Sequence, residues 1–437
     1  MSLKLPMIVA ALAALASAVA AQVGPGEGTP MTKAASAAVA RPDNAGVSYS
    51  ALLDDLDRRI DGLQSRVNDR PEDWLTRMHL GSLVLERAGL TNQMEDFERV
   101  QSILDESFAI APRGSGPLML AARFNFSIHR LDVAEGYLDQ MDRRALQKRE
   151  EQLAGQVLRA GIALQRGQYD AAREGLTAAA SAMPAAAGVE LALYHAQTGN
   201  PGEAQAHLED ALASTSAKDP QRRAWIQLQL GLVARDHGLS EVAFEHLRAA
   251  DAELPGWWLV QEHLAELHHR NGDHQEAIAI YEALVLSGDL PQHMDPLASG
   301  YQHRGEHDKA NELIARSAAR WQEHLGRLPE AAMGHGLQHH LQFGPPARAL
   351  ELAKANYAVR PGGDAQVSLA KAYLQSGMPT RALELVRGAL ATPYRTAGLH
   401  HVAGQVYAEL GDTRSALEQF ELRASINPTY RGDEHSH

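Results

Sequence analysis

The sequence predicts an all-α protein built as a solenoid of stacked antiparallel helix pairs. From about residue 48 onward, apolar residues recur at helical spacing, and strand-like alternation is absent. Glycine interrupts this pattern every fifteen to twenty residues. An alanine followed by an apolar residue four positions later recurs at separations of 32, 39, 34, 33, 39, 33 and 34 residues. A fixed period of this length is typical of proteins that repeat one helix pair.

The N-terminus has the pattern of a secretory signal peptide over residues 1–21. Lys4 precedes an apolar run from Pro6 to Ala18, and small residues follow it where a signal peptidase would cut. We therefore expect a mature start at Gln22 and a periplasmic or secreted location in a bacterium, with an uncleaved anchor as the alternative. The composition of residues 22–47 predicts a disordered linker, and that of residues 431–437 predicts a polar tail.

Residues 48–150 predict divergent helical repeats. An amphipathic helix is expected to cap the N-terminal end of the array, with apolar positions at Leu52, Leu56, Ile60, Leu63 and Val67. Residues 90–97 look like an insertion within the first unit. No glycine marks the turn of the unit over 117–150.

Residues 151–430 predict about eight regular repeats. The repeating alanines are Ala172, Ala204, Ala243, Ala277, Ala310, Ala349, Ala382 and Ala416. A turn glycine stands five residues before each of them, at Gly167, Gly199, Gly238, Gly272, Gly305, Gly344, Gly377 and Gly411. Small residues at helix crossings allow the two backbones of a pair to approach closely. The two spacings of 39 predict longer connections near 214–221 and 320–328.

The last unit carries the clearest family resemblance, at Gly404, Tyr407, Gly411, Ala416, Phe420 and Pro428. These residues resemble the tetratricopeptide repeat (TPR) family. The resemblance implies a right-handed superhelix that binds peptides or protein segments along its concave face. The fixed period also implies that each unit contacts only its sequence neighbours.

The family pattern also indicates which side chains of the first helices face inward. These predicted groove residues are Glu262, Glu266, His269, Asp295, Ser299, Gln302, Gln338 and His401. The predicted groove is acidic and histidine-rich. We therefore expect a basic or neutral protein segment of unknown identity rather than an acidic peptide tail as the partner.

Histidine is unusually frequent, with 21 in the chain and thirteen between His237 and His340. One interpretation is a site for a divalent transition metal such as copper, zinc or nickel, since imidazole suits these ions. The candidate ligands are His263, Glu266, His269, His335 and His339. The alternative interpretation is that these histidines pack in, or are solvated on, the helices. No other cofactor is indicated.

Several functional classes find no support in the sequence. The chain has no cysteine, which excludes disulfides, thiolate nucleophiles and cysteine-bound metals. It contains no phosphate-binding Gly-Lys loop, no Gly-x-Ser-x-Gly and no His-Glu-x-x-His. A net charge of −13 disfavours nucleic acid as a partner. The leading hypothesis is a non-enzymatic periplasmic scaffold, with metal buffering or delivery as the alternative and an enzyme as the least supported reading.

Overall fold

The computed structural model describes residues 47–144, 148–430 and 432, and every regular element in these residues is a helix. The predicted signal peptide and nearly all of the predicted linker and tail lie outside these residues. Within them, every helix is too short or too polar to span a bilayer. The helices are α1 Tyr49–Asp69, α2 Trp74–Thr91, α3 Met94–Ile110, α4 Leu118–Ser127, α5 Leu131–Asp142, α6 Arg149–Gln165, α7 Tyr169–Ala182, α8 Pro184–Gln197, α9 Pro201–Ser214, α10 Pro220–Asp236, α11 Ser240–Glu253, α12 Trp258–Arg270, α13 His274–Ser287, α14 Pro291–His303, α15 His307–Arg327, α16 Pro329–Gln342, α17 Pro346–Val359, α18 Gly363–Gln375, α19 Pro379–Leu390, α20 Ala397–Glu409 and α21 Thr413–Ile426.

Consecutive helices pack as pairs, from α2 with α3 to α20 with α21, and each pair packs against the next. α1 precedes the first pair and packs on α2. The repeating alanines lie where the two helices of a pair cross. Ala243 of α11 is fully buried, and a Cβ added at Gly231 of α10 would lie 3.3 Å from its carbonyl oxygen. The predicted all-α solenoid is therefore confirmed.

The turn within a pair requires a left-handed residue, and glycine usually supplies it. Seven of the eight predicted turn glycines have positive φ, whereas Gly344, which precedes two prolines, does not. In two earlier pairs Asn92 and His129 take this conformation, with φ of 52° and 62°. The expected insertion at 90–97 was wrong, because α2 continues to Thr91 and α3 begins at Met94. Asn92 adopts the left-handed conformation that a glycine adopts in the later turns.

The two longer repeat spacings have different structural causes. Between α9 and α10 the extra residues form a loop over 215–219, as predicted. The second spacing instead lengthens a helix, since α15 has 21 residues whereas α13 has 14. The added turns carry Trp321 and Arg327, both of which contact other parts of the array.

Early and late pairs also contact each other, in addition to their sequence neighbours. Hydrogen bonds join residues 168 to 232 positions apart, for example the Trp258 indole to the Leu90 carbonyl oxygen and Arg327 to Glu95. The solenoid therefore coils until one superhelical turn lies against the next. The expectation that each unit contacts only its neighbours was wrong, because it follows from sequence period alone and ignores how tightly the stack winds.

We call this contact region the inter-turn seam. In this seam, turns of the early pairs meet loops of the late pairs. The turn at 90 meets 255–258, 129–130 meets 327–330 and Arg360, 165–169 meets 360–363, 197 meets 394–395, and 235–238 meets 427–428. The turn of the α6–α7 pair meets the loop after the α16–α17 pair, which lies five pairs later in the chain. The turns of the next two pairs, α8–α9 and α10–α11, also meet loops that lie five pairs later. Asn427 donates to the carbonyl oxygens of Arg235 and Asp236, at 3.3 and 3.1 Å.

Small residues allow the backbones to meet at the seam. A Cβ added at Gly362 would lie 2.8 Å from the Gln165 carbonyl oxygen, and one at Gly238 would lie 2.9 Å from Oδ1 of Asn427. Ion pairs lie at the edge of the seam, where Arg327 contacts Glu98 at 2.6 Å. Since these charges are partly exposed, we expect the backbone packing to matter more than the ion pairs.

Candidate functional site

A cavity of about 170 Å³ lies between the two superhelical turns. Its walls come mainly from the first helices of early and late pairs, namely α4, α6 and α8 on one side and α16, α18 and α20 on the other. The loops at 360–363 and 394–396 complete it, together with Tyr430 and Gly432. The cavity exists because the seam brings together pairs that are far apart in sequence.

Glu190 of α8 is the most isolated charged group of this cavity. Its side chain is 9% exposed, and it forms no hydrogen bond or ion pair with any residue that the structure describes. Burial raises the pKa of Glu190 to about 7, with the charge of Arg222 acting in the opposite direction. A carboxylate buried in this way lacks the partner that would compensate for its lost hydration.

A connected polar network joins the two walls. Arg360 donates to Oδ1 of Asn356 at 2.7 Å and to Nε2 of His129 at 3.2 Å. The other ring nitrogen of His129 lies 2.9 Å from Oε1 of Gln165, which assigns the proton to Nδ1. Because burial disfavours the charged forms, the pKa of His129 is lowered well below its usual value and that of Arg360 is lowered to about 10.

Asp364 completes this network beside the cavity. It accepts a hydrogen bond of 2.5 Å from the hydroxyl of Tyr394, which is fully buried. Burial raises the pKa of Asp364 to about 6, while this hydrogen bond and the charge of Arg360 act against the rise. Unlike Glu190, Asp364 therefore has a partner within the protein.

Some of the predicted groove residues are buried between helices, and others lie at the surface or at the cavity. Glu266 is buried and contacts Arg235 at 2.6 Å and Arg270 at 2.9 Å, so that arginines compensate its charge. Glu262 is also buried, and Nε2 of His293 lies 3.9 Å from its carboxylate. These two acids belong to the packing between α10, α12 and α14, and they do not form an open acidic groove.

The other predicted groove residues lie in three different settings. Asp295 is buried, where its Oδ1 lies 2.9 Å from Nδ1 of His339 and its Oδ2 accepts from the Trp321 indole. Ser299 is half-buried and accepts from Gln342, while His269 and Gln302 are exposed. Two members, Gln338 and His401, line the cavity.

The candidate metal ligands are not brought together. His263 and Glu266 lie 3.2 Å apart, but the arginines already bound to Glu266 occupy that carboxylate. His339 lies against Asp295, and His335 stacks on Trp321 at the cavity wall. His269 lies 3.1 Å from His274 at the surface. Among the described residues no group of three or more His, Asp or Glu side chains could hold a metal ion.

The burial of Glu262 can be tested through the pH dependence of the free energy of unfolding. Burial and the nearby Glu266 raise the pKa of Glu262 well above its usual value, so the folded protein keeps a proton that the unfolded chain loses. Stability from this group is complete below about pH 4.5 and falls as pH rises. We expect Glu262→Gln to become more stable than the parent protein with rising pH, by at most about 1.4 kcal/mol per pH unit.

Chemical denaturation of both proteins at several pH values from 5 to 8 measures this difference. The control is Glu421→Gln on the exposed surface of α21, which should change the free energy of unfolding by no more than about 0.5 kcal/mol at each of these pH values. A Glu262→Gln difference that is equally flat would show that Glu262 is ionised in the folded protein.

The sequence did not predict four residues of the cavity, namely Glu190, Asp364, Arg360 and His129. Only Glu190 has a recognisable signal, since it is the one acid in a helix that is otherwise nearly all apolar, PAAAGVELALYHAQ. His129 meets Arg360 only through the seam, across 231 positions of sequence.

Comparison with known proteins supports the family resemblance. The model of the tetratricopeptide repeat family matches residues 262–293, which contain α13, most of α12 and the start of α14. This match confirms the resemblance that the sequence indicated. No curated protein matches the sequence.

Solved structures of several helical-repeat proteins are similar to the chain. A human IFIT1 dimer with m7Gppp-AAAA is 14% identical, with a TM-score of 0.41, over 84% of this chain and 94% of that chain. A tetratricopeptide repeat protein from Parabacteroides merdae is 16% identical, with a TM-score of 0.33, over 56% and 93%. Yeast Tom70 is 13% identical, with a TM-score of 0.35, over 86% and 89%.

Proposed function

We propose that the chain is a non-enzymatic scaffold that binds a protein or peptide segment at the interior of its superhelix. A tetratricopeptide-repeat fold suggests a protein-interaction scaffold. The single observation that supports an interior site is the cavity, where the first helices of two superhelical turns converge. Concave pockets with a few converging polar groups are the usual form of binding sites.

We infer the chemistry of the partner from the residues that line the cavity, because the acids of the predicted groove are buried. Glu262 and Glu266 are buried, so they do not recruit a basic segment. Glu190 and Asp364 instead place two carboxyl groups at the cavity, of which Glu190 lacks a partner among the described residues. A basic or neutral segment remains the partner that we propose.

We further propose that the protein is exported, to the periplasm or beyond. The support is the sequence pattern of residues 1–21. N-terminal sequencing of the protein recovered from a periplasmic fraction tests this proposal. A mature N-terminus at Gln22 is expected, and full-length protein confined to the cytoplasm would contradict export.

Site-specific photo-crosslinking in cells tests the scaffold. A photoreactive amino acid placed at Gln338 or Gln405, which line the cavity, should capture a reproducible protein partner. The matched control is the same amino acid at Glu384, an exposed position on the second helix of its pair. Capture of the same proteins from both kinds of position, or of none from the cavity, would contradict interior binding.

A further inference from the structure

The starting observation is a buried carboxylate that faces a cavity without a partner. Glu190 is more than nine-tenths buried, and no described residue forms a hydrogen bond or ion pair with it. Buried charges in folded proteins are normally paired, since an unpaired one has lost its hydration without compensation. A ligand from outside the chain could supply the hydrogen-bond donor that the ionised form of Glu190 lacks.

We propose that the cavity binds a guanidinium or alkylammonium group, with Glu190 as its ionic partner. The inference rests on the proposed function and deepens it, because it names the chemical group of the partner that enters the cavity. An arginine or lysine side chain of a bound segment carries this group, and so does a free small amine.

The charges on the cavity walls favour a cation over an anion. Arg360 donates to Asn356 and His129 and lies near Asp364, so that the opposite charge of Asp364 compensates it. Lys371, the other lysine or arginine of the wall, has a partner of its own. Asp364 accepts from Tyr394. Glu190 is thus the remaining charged group of the walls without a hydrogen bond or ion pair to a described residue, although the charge of Arg222 acts on it.

The same face of α8 provides further contacts for such a ligand. Leu193 follows Glu190 by one turn and presents an apolar surface to the cavity, suited to the methylene stem of a basic side chain. Gln197 lies one turn further and is also more than nine-tenths buried, and its side-chain amide has no described hydrogen bond. It can accept from a guanidinium or from a peptide N–H.

The size of the cavity limits what can enter. Its volume of about 170 Å³ is similar to that of an engineered cavity of about 150 Å³ that holds benzene. One long side chain of a bound segment fits such a volume. A bound segment would therefore insert a single basic side chain and keep its backbone outside the cavity.

Calorimetric titration of the full chain tests the inference. The probes are acetyl-Gly-Arg-Gly-amide, its glutamine counterpart, and agmatine as a free amine with a guanidinium group. The arginine peptide should bind roughly tenfold or more tightly than the glutamine peptide, as expected for a charge-assisted hydrogen bond to a buried carboxylate. Glu190→Gln should remove this preference, and Asp210→Asn, on the exposed surface of the adjacent α9, should retain it.

Each outcome of this titration has a defined meaning. Binding of the arginine peptide supports a basic side chain as the source of the cation, and binding of agmatine alone supports a free amine. Equal affinity for the two peptides, or an arginine preference that persists in Glu190→Gln, overturns the inference. The comparison of the two peptides with the parent protein tests the inference even if the Glu190→Gln variant unfolds.

The result is also separable from that of the crosslinking experiment. A partner captured from Gln338 whose affinity is unchanged by Glu190→Gln would overturn the cation site and leave the scaffold standing. An arginine preference that depends on Glu190, without any captured partner, would support the cation site and contradict the scaffold.

Discussion

Replacing Arg235 by methionine is expected to lower the free energy of unfolding by about 3–5 kcal/mol. Arg235 is buried at the end of α10, where it contacts Glu266 of α12 at 2.6 Å and Asp236 at 2.8 Å. Methionine keeps much of the volume but leaves the Glu266 carboxylate without its closest cation. Chemical denaturation followed by circular dichroism measures the loss.

Two further variants separate charge from packing. Arg381→Met removes an exposed ion pair with Glu384, at which both side chains are more than half exposed, and should change the free energy of unfolding by no more than about 0.5 kcal/mol. The double variant Arg235→Met with Glu266→Met removes the closest buried pair and should recover part of the loss, while Asp236 and Arg270 lose a partner and keep their charges. Equal effects of Arg235→Met and Arg381→Met would contradict the burial of this network.

The second large effect is expected at the inter-turn seam. Gly362→Ala should lower the free energy of unfolding by about 1–3 kcal/mol, because the added Cβ would lie 2.8 Å from the Gln165 carbonyl oxygen. The backbone at Gly362, with φ of −70°, suits alanine, so the effect comes from the contact across the seam. Amide hydrogen exchange near 160–170 should become faster in the variant.

Gly288→Ala is the matched control for this effect. Gly288 follows the end of α13, and Gly362 precedes α18, both in extended backbone, but a Cβ added at Gly288 has only the Leu284 carbonyl oxygen, 4.0 Å away, as a neighbour. We expect a change within about 0.5 kcal/mol and no change in exchange near 160–170. If Gly362→Ala behaved like this control, the two superhelical turns would not be in contact at that point.

The period of the sequence predicts the helix pairs because each pair is determined locally. Alanine at a crossing and a glycine in the turn act within one repeat, as Ala243 and Gly238 illustrate. The N-terminal turns were harder to predict, because Asn92 and His129 adopt the left-handed conformation without the glycine that usually marks it.

The site could not be predicted in the same way. The groove positions were assigned from their place in the repeat, and this does not reveal that neighbouring helices bury Glu262 and Glu266. The winding of the stack determines which distant pairs meet, and it depends on small rotations between successive pairs. The contact of Arg360 with His129 is a consequence of that winding.

The central claim is that the solenoid closes on itself, so that early and late pairs touch and enclose the cavity. Because the chain has no cysteine, Ser102→Cys with Glu323→Cys allows spin labels at two exposed positions only. Each label lies four residues from the ion pair between Glu98 and Arg327, which both variants retain, although Glu323→Cys removes a second ion pair of Arg327. Pulsed electron paramagnetic resonance should give one short, narrow distance, whereas a long or broad distribution would contradict a closed superhelix.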